Sequence, residues 1–256
     1  CPVDAVRVDA IDEKSLSFNG FDLQNDRLPH GEPDTARLVQ LMASRRSCRN
    51  YSGQTVDRSV LEDLVKIGTT APSGTNCQNW TFTLFPDPAA VAEFRQRIGS
   101  FFEKLNRMAE KKWMRKMLKL IGKSELDDYY REYYQSVKDG FKEWELYGRD
   151  RLFHGAPAVI VVATRPGGSC PKEDALLATQ NILLAAHSMG LGSCLIGFAV
   201  EAIQNDTSIQ RFLTIPAEET VCSVIAIGYP EEKYEGLTGR KKFVMRYFEA
   251  GPTQTA

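Results

Sequence analysis

Ala158-Val159-Ile160-Val161-Val162-Ala163, followed after a polar gap by the segment from Asp174 to Ser188 (Asp-Ala-Leu-Leu-Ala-Thr-Gln-Asn-Ile-Leu-Leu-Ala-Ala-His-Ser), decides the fold. The first run is unbroken and rich in β-branched residues, which fits a strand covered on both faces. The second is small-residue-rich and apolar nearly all round, which marks a central, buried helix. Met189-Gly190-Leu191-Gly192 stops it, because glycine leaves a helix without the strain a side chain would bring.

Working outward, Trp80 to Phe85 alternates like a strand, and Ser193–Phe198 and Val221–Ile227 complete the strand set. Helical spacing puts Leu38, Leu41 and Met42 on a helix capped by Asp34 or Thr35. A second helix runs from about Asp57 and ends before Gly68, with Val60, Leu61, Leu64 and Val65 as its buried face. Strands separated by helices predict a layered α/β core. Residues 101–150, rich in Lys, Arg, Glu and aromatics and free of proline, read as one or two helices inserted between two strands, a natural lid. Cations crowd this stretch between Lys104 and Lys123, with Trp113, Met117 and Leu120 on one helix face; an ordinary amphipathic helix reads the same way. Residues 1–33 are polar and read as an arm or linker, leaving one domain over 34–256.

The balance of 32 Lys and Arg against 33 Asp and Glu gives no global electrostatic reason to expect a nucleic-acid partner. No apolar run approaches the roughly 20 residues that span a bilayer. The six cysteines (1, 48, 77, 170, 194 and 222) contain no CxxC pair, so neither a zinc site nor a disulfide framework is expected. Free thiols fit a reducing cytoplasm, and the expected location is cytoplasmic.

Four short elements carry chemistry. Arg45, Arg46, Ser47 and Arg49 place three guanidinium groups within five residues, a clamp for a phosphate and a polar ring edge. Taken alone, they equally fit a solvated basic helix end. Pro72, Ser73, Gly74, Asn76 and Gln78 belong to a loop whose amides and hydroxyls can read the edge of a flavin or nicotinamide ring. Simple turn chemistry accounts for Pro72 and Gly74 but not for the whole string. In Gly192-Ser193-Cys194-Leu195-Ile196-Gly197 small residues let backbone N–H groups approach a ring, although a tight connection would also need glycine. The last element is Gly228-Tyr229-Pro230 with the basic Arg240-Lys241-Lys242 beyond it.

In this order and spacing the four elements resemble the nitroreductase family over about residues 35–245. The resemblance implies an α/β (α+β) fold: a central mixed, mainly antiparallel sheet surrounded by helices, with 101–150 as a helical insertion. It also implies FMN bound at a homodimer interface, both subunits lining each site. Arg45 and Ser47 would approach the phosphate and ribityl chain, with Arg46 in the same clamp. Arg49 would reach the pyrimidine edge, where a cation stabilises the anionic reduced flavin. Asn76 would bond the ring edge, and Pro72, Ser73 and Gly74 would come from the other subunit. Leu195, Ile196 and Gly197 match the segment that lies against the ring and donates an N–H toward N5, while Arg240 and Lys242 match phosphate contacts of the tail. Many relatives carry an acidic residue beside N5; here the string is Leu195-Ile196-Gly197-Phe198, which leaves the N5 donor and any inherited substrate preference open.

No GxGxxG follows a strand, so no Rossmann site is encoded. The expected chemistry is a ping-pong reduction of nitroaromatic, quinone or similar small aromatic acceptors by NAD(P)H or reduced ferredoxin, with no side chain assigned as general acid. His154 and His187 read as structural. A cysteine hydrolase, a flavin-binding storage or sensor protein, and a dehalogenase or flavin-modifying enzyme are the competing readings. Finally, Cys1-Pro2-Val3-Asp4-Ala5-Val6 resembles the end of a bacterial ferredoxin cluster motif. On that reading a 4Fe-4S module lies upstream and feeds FMN, with the basic stretch 104–123 as its docking surface. An artificial start and a processed lipoprotein are the alternatives.

Overall fold

The computed structural model describes residues 15–24 and 26–248. The reading of Cys1 and its neighbours lies outside them.

Four strands form one sheet in the order β1-β2-β4-β3: β1 (Trp80–Phe85), β2 (Ala158–Thr164), β3 (Gly192–Leu195) and β4 (Thr220–Gly228). Every named pair is antiparallel. The parallel component is an isolated bridge between Ser47 and Ser193. All seven residues of β2 are buried, as its β-branched run predicts.

Helices cover both faces. On one face α2 (Arg58–Gly68) and α7 (Pro171–Ser188) bring Leu61, Leu64 and Ile182 onto Ala158, Ile160, Val162, Ile225 and Ile227. Helix α1 (Thr35–Ser44), capped by the Asp34 carboxylate, packs on α7. On the other face α3 (Pro88–Ala109), α8 (Gly197–Asn205) and α9 (Thr207–Phe212) bring Phe94, Ile98, Ile203 and Ile209 onto Val159, Val161, Val224 and Ala226. Register shifts by one residue opposite Val162 and Ala163, leaving Cys222 as the extra residue of β4. Such a bulge turns Val221 to the α3 face while Ser223 keeps to the α7 face, where its hydroxyl meets that of Thr179 at 2.7 Å.

Several boundaries move. Helix α2 runs through Gly68 rather than ending before it, and a Cβ there would stand 2.9 Å from Ile182 Cγ1, so glycine is what lets α7 approach. The third strand stops at Leu195, and Gly197 opens α8 instead of continuing the strand to Phe198. Helix α7 is not buried all round: Leu176 and Leu177 stay exposed, as do Leu38, Val39 and Met42 of α1. The stretch 101–150 holds the end of α3 and three further helices, α4 (Lys112–Leu120), α5 (Glu125–Glu132) and α6 (Tyr134–Tyr147). The composition shift near residue 101 hides a continuous stripe of Val91, Phe94, Ile98, Phe102 and Ala109, all buried along α3. The arm is docked rather than loose over its described part: the buried Asp63 carboxylate accepts the backbone N–H groups of Asn19 and Gly20.

Candidate functional site

The site forms where the end of α1 meets the outer edge of β3. Arg45 caps α1 in extended conformation, so the chain leaves the helix and runs beside β3. The backbone N–H of Cys48 donates to the Ser193 carbonyl at 2.9 Å, and Ser47 pairs with Ser193. Two motifs nearly 150 residues apart in sequence thereby become neighbours. Cys194 lies between them: burial pushes its thiol up, opposed by the Arg49 guanidinium, the Ser47 hydroxyl and Arg45. None of the ion pairs among the described residues involves Arg45 or Arg49.

Ile196 donates its backbone N–H to Val224 at 2.9 Å, so that donor belongs to the sheet and is not free to face a ring. Alternation along an antiparallel edge turns the Leu195 N–H outward, and Gly197 opens α8, where the first amides have no helical partner. A Cβ on Gly197 would meet nothing within 4 Å, leaving the approach to these two donors open.

A cleft of about 950 Å³ lies on one side of this segment, and Arg49, Phe102, Phe141, Trp144, His154 and Phe198 are among its walls. A smaller one of about 560 Å³ lies on the other, with Arg45, Arg46, Ser193 and Gly192 in its lining. Burial, reinforced by Arg49, pushes the His154 imidazole below its ordinary range, so it stays neutral and can both donate and accept. His154 also adopts φ +59, uncommon outside glycine. Nothing in the local sequence of His154 signals that it lines the same cleft as Arg49.

The other predicted residues separate. Arg46 turns to the tail, donating to Thr238 Oγ1 at 2.6 Å and lying 5.8 Å from the centre of the Tyr234 ring. Arg240 donates to the Thr238 carbonyl at 2.8 Å, which brings it to the same corner; Lys242 is exposed. Pro72, Ser73, Gly74, Asn76 and Gln78 form a turn whose Gly74 N–H is held by the buried Asp174 carboxylate at 3.0 Å. Thr75, Asn76 and Gln78 all take φ near +50 (54, 56 and 48), and strain of that kind persists only where the surroundings impose it. This turn precedes β1, at the sheet edge opposite β3 and at the far end of the strands. On a flat-sheet estimate, three strand spacings across and seven residues along separate Trp80, just after the turn, from Ser193 by roughly 28 Å, so the turn and the β3 segment occupy opposite corners of the sheet.

One sheet covered by helices on both faces thus carries, at its β3 edge, a cationic, amide-lined segment beside an aromatic cleft. The nitroreductase family profile matches residues 42–229, and the chain belongs to that family, whose members are enzymes. It is 26% identical over 203 residues to an iodotyrosine deiodinase of Haliscomenobacter hydrossis, covering 77% of this chain and 81% of that one. It is 26% identical over 210 residues to a putative NADH dehydrogenase/NAD(P)H nitroreductase of Archaeoglobus fulgidus, covering 80% and 92%. A Bacteroides fragilis nitroreductase solved with bound FMN superposes with a TM-score of 0.55 at 25% identity, covering 81% of this chain and 94% of that one. No helix among the described residues is long and apolar enough to cross a membrane.

Proposed function

We propose that this protein is an FMN-dependent oxidoreductase that works as a homodimer and reduces small nitroaromatic, quinone or similar aromatic acceptors in ping-pong fashion, drawing on NAD(P)H or reduced ferredoxin. The observation that carries the reading is the Ser47–Ser193 bridge, which sets Arg45, Ser47 and Arg49 against the free amides of Leu195 and Gly197. Cations with no carboxylate partner among the described residues, beside open backbone donors, suit a phosphate at one end and an electron-rich ring edge at the other. Arg45 and Ser47 hold the phosphate and ribityl chain, and Arg49 sits at the pyrimidine edge. The Leu195 or Gly197 N–H would face N5, a main-chain donor in place of the acidic side chain of many relatives.

Bound FMN supplies the two-electron chemistry, while the chain positions the ring and closes the cleft beside it. The turn at 72–78 lies at the opposite corner of the sheet and serves the partner's ring instead. The exposed apolar faces of α1 and α7 supply the isologous contact. Reductive dehalogenation is the second reading, favoured by the deiodinase relative.

The test is anaerobic: purify the protein, record its flavin spectrum, and follow bleaching with NADH, NADPH and reduced ferredoxin, then reoxidation by a panel of nitroaromatics, quinones and halophenols. A protein that neither copurifies with flavin nor binds added FMN ends the reading.

A further inference from the structure

We propose that α4 is an interfacial anchor that docks the protein on an anionic lipid bilayer. The helix has the sequence Lys-Trp-Met-Arg-Lys-Met-Leu-Lys-Leu over Lys112–Leu120. Met114 and Leu118 pack inward on Leu126 and Tyr134. The outer half of the apolar stripe has no partner: Trp113 is 61% exposed, Leu120 87% and Ile121 63%, with Met117 between them. At helical spacing these four exposed side chains fall on one face and form an apolar ridge along the helix.

The charges beside the ridge choose the surface. Lys111, Lys112, Lys116 and Lys123 are exposed, and none joins an ion pair among the described residues. Two other cations of the helix already face a carboxylate. Arg115 lies 3.2 Å from Asp127 and over the Tyr130 ring, and Lys119 reaches the same carboxylate at 3.6 Å. Apart from these two, which share the Asp127 carboxylate with Arg131, the helix shows a lysine fringe along an exposed face of Trp, Met, Leu and Ile. That is the composition of a helix lying in the plane of a membrane surface, where indole favours the headgroup level and lysine meets anionic lipid.

The dimer face proposed above does not cover this ridge. Helices α1 and α7 lie on one side of the sheet, whereas α4 packs on α3 and α5 on the other. The larger cleft also opens on the α3 side. A docked α4 therefore sits on the side of the sheet from which apolar acceptors dissolved in lipid would arrive. The proposal itself concerns only binding to the bilayer, so it stands or falls apart from the flavin chemistry.

The measurement is co-sedimentation of the purified full chain with vesicles of phosphatidylcholine alone and of phosphatidylcholine mixed with phosphatidylglycerol, at low and raised salt. Binding is expected only to the mixed vesicles and should weaken with salt. Trp113→Ala with Leu120→Ser, and separately Lys112→Glu with Lys116→Glu, should each reduce it about tenfold or more. Leu146→Ser, at an exposed apolar position of α6, should leave it unchanged. All substituted groups are exposed, so unchanged melting temperatures verify folding. No affinity for mixed vesicles overturns the proposal. So does binding that survives loss of the ridge, which would be mere electrostatic adsorption. A ridge that instead mediates self-association or capture of an acidic protein such as ferredoxin, without vesicle binding, also overturns it.

Discussion

Cys48 and Ser193 are joined by a single main-chain hydrogen bond of 2.9 Å, and through it the Arg45–Arg49 motif is fixed against the edge of β3. The neighbouring Tyr51 hydroxyl reinforces the junction, lying 3.0 Å from the Cys48 carbonyl and 3.2 Å from that of Ala226. Position rather than residue type is what brings Arg45 and Arg49 to the β3 edge as a candidate site.

Arg45→Ala should weaken FMN binding far more than Lys241→Ala. Losing a hydrogen bond to a charged group costs about 1.5–3 kcal/mol, or roughly ten- to a hundredfold in affinity. Lys241 is exposed and joins no ion pair among the described residues. Fluorescence titration of the apoprotein with FMN checks this, and equal affinities would falsify the phosphate assignment.

Val39→Asp, on the exposed face of α1, should convert the dimer to monomer at micromolar protein and release flavin along with it. A buried, unpaired carboxylate makes an interface unfavourable by several kcal/mol. Analytical ultracentrifugation with detection at flavin wavelengths reads both effects together. A monomer that still holds its flavin contradicts the shared site.

His154 contributes to the pH dependence of stability. Its folded pKa lies below the unfolded value of about 6.5, so the unfolded chain binds more protons as pH falls. Stability from the neutral imidazole is therefore complete above about pH 6.5 and declines below it. His154→Gln should flatten this acid limb in urea midpoints taken from about pH 7 to about pH 5. An unchanged limb would show that the ring is equally solvated in both states.

Replacing residues 112–132 with a short linker should change KM for acceptors while FMN stays bound. The Tyr134 hydroxyl donates to Glu110 Oε1 at 2.6 Å, so the ends of this excursion already meet. Beyond the peripheral Leu126 cluster that this deletion loses, deleting all of 101–150 would also remove Phe102 and Ala109 from the core. Steady-state kinetics across the acceptor panel reads the outcome; unaltered KM values for every acceptor would remove the lid role.

Gly228→Ala should lower stability by about 1–3 kcal/mol, the usual range for overpacking. An added Cβ would stand 2.5 Å from Pro157 Cδ and 2.8 Å from Tyr51 Cδ1, and Tyr51 is part of the junction described above. Chemical denaturation gives the value, and a neutral result would mean that this corner yields more readily than its packing implies.

The strands and helices of the core were legible in sequence because their signals are local. A β-branched run such as 158–163 and the spacing of Leu61 and Leu64 report burial directly. The family was legible as well, since the order of four short motifs survives without any knowledge of contacts. The helices of 101–150 were merged into too few because a polar composition masks the apolar stripe that continues α3.

What the chain order could not contain is which motif residues share a place. Arg46 and Arg49 read alike in sequence, yet one is held by Thr238 and the other lines the aromatic cleft. Asp127 draws Arg115 and Lys119 together from another helix, and the 72–78 turn sits at the sheet edge opposite β3. Periodicity and side-chain chemistry, which act over one or two turns of backbone, were determined by the sequence itself. The direction of a guanidinium, the pairing of charges and the separation of two sheet edges follow from long-range packing, and only the tertiary structure decided them.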